Sequence, residues 1–120
     1  MSFNFSNDKP IFLQIEECIK NKIISGEIAP GEKLKSVREL SSYFKVNPNT
    51  VQSALKNLEE LGLIFTDRTN GKFVSTDNKI IIKNKEQQIS TITNEFISNM
   101  KSFGLDNQQI INYIKEHING

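Results

Sequence analysis

Cysteine occurs once, at Cys18, so an internal disulfide is excluded and a reducing compartment is expected. Long hydrophobic runs are missing as well. The longest purely aliphatic stretch is Ile80-Ile81-Ile82, far short of a membrane span. Met1 to Lys9 has no basic start followed by an apolar core, so no signal peptide is expected and the cytoplasm is the expected location. No His/Cys/Asp cluster has metal-ligand spacing, and no glycine-rich loop could cradle a phosphate. The single histidine, His117, lies 99 positions from Cys18 (117 − 18). These absences argue against an enzyme and against a metal or cofactor. An excess of one charge is also lacking, with 15 Lys+Arg against 14 Asp+Glu. Nucleic-acid binders usually show a clearer basic surplus.

What is present describes an ordinary globular chain. Its 120 residues are 37% hydrophobic and 24% charged, which suits one domain, or one domain with a short helical appendage. Cys18 falls among Ile11, Ile15, Ile19 and Ile23 at helical spacing, so it reads as a small buried hydrophobe. His117 reads as a surface residue. The distribution of charge is more informative than its sum. From Lys33 to Lys56 there are Lys33, Lys35, Arg38, Lys45 and Lys56 against Glu39 alone, a local +4. The only arginines, Arg38 and Arg68, carry the planar guanidinium suited to guanine or phosphate.

Element signals follow in order. Pro10 to about Ser25 reads as a helix capped by Asp8, with apolar positions at 11, 12, 15, 19 and 23, ended by Gly26. Ser36 and Glu39 form a capping box that opens a short helix over about 37–45, its inner face Val37, Leu40 and Phe44. Asn47 caps a third helix, with Pro48 in its first turn and Gly62 as its stop. Two short helices joined by a tight turn make a helix-turn-helix. Val51, Ala54, Leu55, Leu58 and Leu61 form the inner stripe of the third helix. Its outer face carries Asn49, Gln52, Ser53 and Lys56, with no acid before Glu59. Amide side chains match the paired donor and acceptor of adenine in the major groove. Residues 63–66 and 72–75 are strand-like around Asn70-Gly71, a strong turn signal, so a β-wing follows the third helix. Arg68 and Lys72 flank its tip.

From Thr76 the character changes to a linker and two helices. The first, roughly 80–103, has apolar positions at Ile82, Ile89, Ile92, Phe96, Met100 and Phe103. After Gly104, Asp106 and Gln109 form a second capping box for a helix carrying Ile110, Ile111, Ile114 and Ile118. A hairpin this short buries little apolar surface alone, so pairing with a second copy is expected. The expected architecture is mainly α with a small β-wing. It comprises a winged helix-turn-helix over 1–75 and a linker with a two-helix dimerisation region over 76–120. The expected interface residues are Ile89, Ile92, Phe96, Met100, Phe103, Ile110, Ile111 and Ile114.

The stretch from Ile24 to Leu40, with Pro30-Gly31-Glu32-Lys33-Leu34-Lys35-Ser36-Val37-Arg38-Glu39-Leu40 at its heart, resembles the signature of the GntR superfamily of bacterial regulators. The resemblance continues through Val46-Asn47-Pro48-Asn49-Thr50-Val51 and Leu58-Glu59-Glu60-Leu61-Gly62-Leu63-Ile64, and ends at Gly71-Lys72-Phe73-Val74. The Asn-Pro-Asn-Thr opening and short two-helix tail are similar to the YtrA-type subfamily. The resemblance implies a dimeric repressor, of a kind often encoded beside ABC-transporter genes. It implies that Arg38 reads a base, that the start of the third helix enters the major groove, and that Gly71 lets the wing approach the minor groove. Lys35 departs from the family's usual proline, and Pro48 from an arginine that contacts DNA in many relatives. More specificity must then come from Arg38, Asn49 and Gln52.

Together these readings assign phosphate contacts to Lys35, Thr50, Lys56 and Lys72, and to the helix N-termini at Ser36 and Asn47. Arg38, Asn49 and Gln52 are the expected base readers, with Ser53, Arg68 and Gly71 completing the surface. The expected partners are double-stranded operator DNA and a second copy of the chain, with no membrane. A dimer interface leaves room for a small-molecule effector without identifying one. The rival reading is a helix-turn-helix protein-interaction module that does not bind DNA; it predicts salt-insensitive partner binding and no retardation of promoter DNA.

Overall fold

A computed structural model describes residues 3–120; the first two residues of the expected 1–75 domain lie outside it. Five helices and one hairpin follow in the order α1 (Ile11–Ile24), α2 (Val37–Phe44), α3 (Pro48–Glu60), β1 (Ile64–Asp67), β2 (Gly71–Val74), α4 (Asn78–Ser102) and α5 (Asn107–Asn119). The chain forms two compact units, one ending at Asn84 and the other spanning Lys85–Gly120.

The first unit is a three-helix bundle closed by a wing. Ile15, Ile19 and Ile23 of α1 meet Leu40 and Phe44 of α2 and Val51, Ala54, Leu55 and Leu58 of α3 in one core. Those positions recur every three or four residues, so each helix turns one stripe inward. Leu34, Leu63, Ile64, Val74 and Ile81 complete the cluster. Ile81 lies in α4, so residues 76–84, expected within the linker and dimerisation region, fall in this unit. Ile82, one of the apolar positions of α4, is exposed.

Helix ends explain the boundaries. At α2, Ser36 Oγ accepts the Glu39 N–H and the Glu39 carboxylate accepts the Ser36 N–H, at 3.1 and 3.0 Å. At α3, Asn47 Oδ1 accepts the Asn49 N–H at 2.8 Å. Gly62 ends α3 with φ +77°, and the Leu63 N–H reaches back to the Leu58 carbonyl at 3.1 Å, satisfying an orphan acceptor. Leu61 sits at that cap, 39% exposed, and so leaves the buried stripe expected of it. At α1 the expected Asp8 cap does not form. Pro10 takes the cap position without a side-chain bond, and the Asp8 carboxylate accepts the Ser6 hydroxyl instead. Gln14 reaches back from the first turn, donating to the Ser6 and Lys9 carbonyls at 3.0 and 2.8 Å. Cys18 is half-buried against the core, not fully enclosed, and desolvation pushes its thiol pKa up.

The wing has one more partner than the sequence suggests. Besides the β1–β2 pairing, Lys33 bridges antiparallel to Phe73, and the Leu34 N–H donates to the Lys72 carbonyl at 2.8 Å. The segment before α2 therefore lies along the outer edge of β2, leaving that edge paired.

The second unit is a helical hairpin. Gly104 follows α4, and the Asp106–Gln109 capping box opens α5 with both bonds at 2.9 Å. Ile110, expected at the interface, is buried within the chain. Ile89, Ile92, Phe96, Phe103, Ile111 and Ile114 are exposed, and Met100 is half-buried. His117 is exposed, with Nδ1 2.8 Å from the Tyr113 carbonyl oxygen.

Candidate nucleic-acid interface

The inner stripe of α3 fixes its outer face. With Val51, Ala54, Leu55 and Leu58 buried, Asn49, Gln52, Ser53 and Lys56 project outward at spacings of three and four, and all four are exposed. Ser53 Oγ donates to the Asn49 carbonyl at 3.1 Å. Asn57, one position beyond Lys56, turns the other way and donates to Glu16 of α1 at 2.7 Å. Thr50 is half-buried, and its N–H donates to the Asn47 carbonyl.

The turn before α3 is three residues, Lys45 to Asn47, with Lys45 at φ +58°. Arg38, in the first turn of α2, is exposed. Lys35 is exposed too, its ammonium 5.8 Å from the Tyr43 ring centre. The capping box narrows what the α2 N-terminus can offer a phosphate. The Ser36 N–H is already taken by the Glu39 carboxylate, whose pKa that bond holds below the ordinary value. Likewise the Asn49 N–H is committed to Asn47.

At the wing tip, Arg68, Thr69 and Asn70 link the paired residues Asp67 and Gly71. The Asp67 carboxylate accepts the Thr69 N–H and hydroxyl, both at 3.0 Å, and these bonds lower its pKa. Arg68 stands exposed at the tip. Gly71 takes φ +104°, whereas Asn70 stays out of the left-handed region. A Cβ at Gly71 would lie 3.3 Å from Lys33 Cε, so the lysine stem lies across the glycine. Lys33, absent from the sequence-derived site, is thus a cation beside the wing. The one signal for it was its membership of the basic run.

Lys72 departs most from expectation. Its ammonium donates to Glu59 at 2.6 Å and to Thr66 Oγ1 at 2.8 Å, and the Thr66 hydroxyl donates to the same Glu59 oxygen. The residue expected on phosphate is half-buried and paired within the chain. Sequence reading missed Glu59 as its partner, although Glu59 is the first acid on an otherwise acid-free face.

The arrangement is a helix-turn-helix with an exposed amide-and-hydroxyl strip, flanked by a wing with a guanidinium at its tip: a winged-helix transcriptional regulator. Comparison with known proteins places it further. The pattern of the bacterial regulatory proteins, gntR family, matches residues 12–74, and the chain belongs to that family. It is 35% identical over 120 residues to the HTH-type transcriptional regulator YhcF of Bacillus subtilis (strain 168), covering 100% of this chain and 99% of that protein. It is 35% identical over 108 residues to the HTH-type transcriptional repressor YtrA of the same organism, covering 89% of this chain and 83% of YtrA. The likeness to YtrA supports the YtrA-type subfamily. Among solved structures, a GntR family transcriptional regulator from Listeria monocytogenes superposes with a TM-score of 0.90 at 38% identity, covering 93% of this chain and 98% of that one. The DNA-binding domain of AraR, solved in complex with operator ORX1, matches with a TM-score of 0.55 at 29% identity over 62% of this chain and 92% of that one. Family and relatives are transcriptional regulators, which are not enzymes.

Proposed function

We propose that the chain is a repressor that binds a near-palindromic operator as a homodimer, with a transporter operon as its candidate target. In this reading residues 1–75 form the DNA-binding domain and residues 76–120 the linker and dimerisation region, within a cytoplasmic protein. Two copies of α3 enter successive major grooves. Asn49 and Gln52 read base edges there together with Arg38, and Lys35, Thr50 and Lys56 hold phosphates. Arg68 and Gly71 bring the wing to the neighbouring groove.

The observation that carries this reading is the outer face of α3, where Asn49, Gln52, Ser53 and Lys56 are exposed and no acid interrupts them. The operator complex of the AraR domain and the repressor YtrA support it by likeness. Pairing is supported by the second unit, where Phe96, Met100, Tyr113, Ile114, His117 and Ile118 line a cavity of about 420 Å³. Apolar side chains left in water on a two-helix hairpin favour association, and one winged helix makes too few contacts for specific binding. No helix is long and apolar enough to cross a membrane among the described residues.

Gel retardation and footprinting of the DNA upstream of the protein's own gene test the proposal. The expected result is protection of two half-sites about one helical turn apart, with affinity falling steeply as salt rises from about 50 to 200 mM. No retardation, together with salt-insensitive capture of a protein partner, would favour the interaction-module reading instead.

A further inference from the structure

Glu59 stands at the end of the recognition helix, where an unpaired carboxylate would repel DNA. It is not unpaired. Thr66 and Lys72 are cross-strand partners in the wing, one from β1 and one from β2, and both donate to the same oxygen of Glu59. Lys72 also donates to Thr66, which closes a three-member ring of hydrogen bonds. The pair is better shielded than the other ion pairs described: the Lys72 and Glu59 side chains are 27% and 33% exposed, against 50% and 52% for Lys9–Glu17.

Resting on the DNA-binding reading, we propose that Glu59 is a positioning residue: it pins the middle of the hairpin to α3 and holds the Lys72 ammonium inside the protein, away from phosphate. Three attachments then set the wing. Its base is hydrogen-bonded to the segment Gly31–Leu34, its middle is tied to Glu59, and its tip is ordered by Asp67. Glu59 is thereby paired with a cation, Asp67 is hydrogen-bonded within the tip, and Arg68 is the exposed cation there. The two hydrogen bonds lower the Glu59 pKa, in line with a carboxylate that stays ionised beside Lys72. Lys72 is the charged group facing Glu59 from the wing, with Thr66 beside it, while Lys56 and Glu60 flank it on its own helix.

The salt dependence of binding separates a latch from a phosphate contact. The chain is titrated with a mixed-sequence 30-base-pair duplex across a salt series, as wild type, Glu59→Gln and the double variant Glu59→Gln, Lys72→Met. A lysine on phosphate contributes about one unit to the slope of log affinity against log salt, about fourfold between 50 and 200 mM. The latch predicts a slope steeper by up to about one unit for Glu59→Gln, which frees the ammonium, and a wild-type slope for the double variant, which removes both members of the neutral pair. A double-variant slope shallower than wild type by about one unit would overturn it. A second readout needs no DNA and stands even if no chain binds the duplex. Carbon-13 NMR titration should find the Glu59 carboxyl below the ordinary glutamate range in wild type and shifted upward in Lys72→Met. A Glu59 carboxyl titrating in the ordinary range, indifferent to Lys72→Met, would also overturn the latch, whatever became of the DNA reading.

Discussion

Arg38 and Glu39 are neighbours in the first turn of α2 with opposite tasks. Glu39 faces back to the Ser36 backbone and completes the cap, while Arg38 projects into solvent. Because a bidentate guanidinium contact with a base contributes about 1–3 kcal/mol, Arg38→Ala is expected to weaken operator binding about ten- to a hundredfold, measured by titration of the footprinted site. The cap makes a different prediction. The pKa of Glu39 is lowered by its bond from the Ser36 N–H, so its contribution to stability is present above the ordinary glutamate value of 4.5 and is lost as pH falls through the folded value. In thermal melts Glu39→Gln, which keeps the shape of the box without the charge, should lie below wild type at neutral pH and converge with it in acid. The Ser36–Glu39 box was legible from sequence because a cap is a local pattern four residues long. The Lys72–Glu59 pair was not, since the partners are separated by a helix end and a strand whose register only the folded hairpin fixes.

Helix ends and the hairpin follow the same division. Gly62 was readable as the stop of α3, and its φ of +77° shows why a glycine is needed there. A left-handed conformation costs a residue with a Cβ about 1–2 kcal/mol, while the nearest atoms, on Ile80, lie at an ordinary 3.4 Å. Gly62→Ala should therefore lose about that much stability in urea unfolding, mainly through backbone strain. The failures came where a distant partner outcompetes a local signal. Asp8 is a good cap residue by type, yet Gln14 reaches back to the carbonyls ahead of α1 and Asp8 turns to Ser6. By sequence, Ile28 to Gly31 reads as a turn and Leu34 as the next buried anchor, but β2 offers the stretch from Gly31 to Leu34 a free edge, and it pairs there. Ile81 and Ile82 are equivalent by composition. Only the packing of the start of α4 against the first unit decides that Ile81 is inside.

In the proposed dimer the two units would divide the work, one presenting α3 and the other supplying apolar surface for pairing. Phe96 lies exposed on α4 beside the cavity of the hairpin, so Phe96→Asp should drive the protein to monomer in sedimentation equilibrium and weaken operator binding more than nonspecific binding. Which apolar side chains of the hairpin stay exposed was only partly readable, because Ile110 and Ile111 are adjacent in sequence and only Ile110 is buried within the chain. The most direct experiment concerns the strip on α3. Affinity is measured for the footprinted operator and for a mixed-sequence duplex, with wild type and with the double variant Asn49→Ala, Gln52→Ala. If these amides read bases, the variant loses at least about tenfold on the operator and almost nothing on the mixed duplex. Undiminished operator affinity, or an equal loss on both duplexes, would contradict the account.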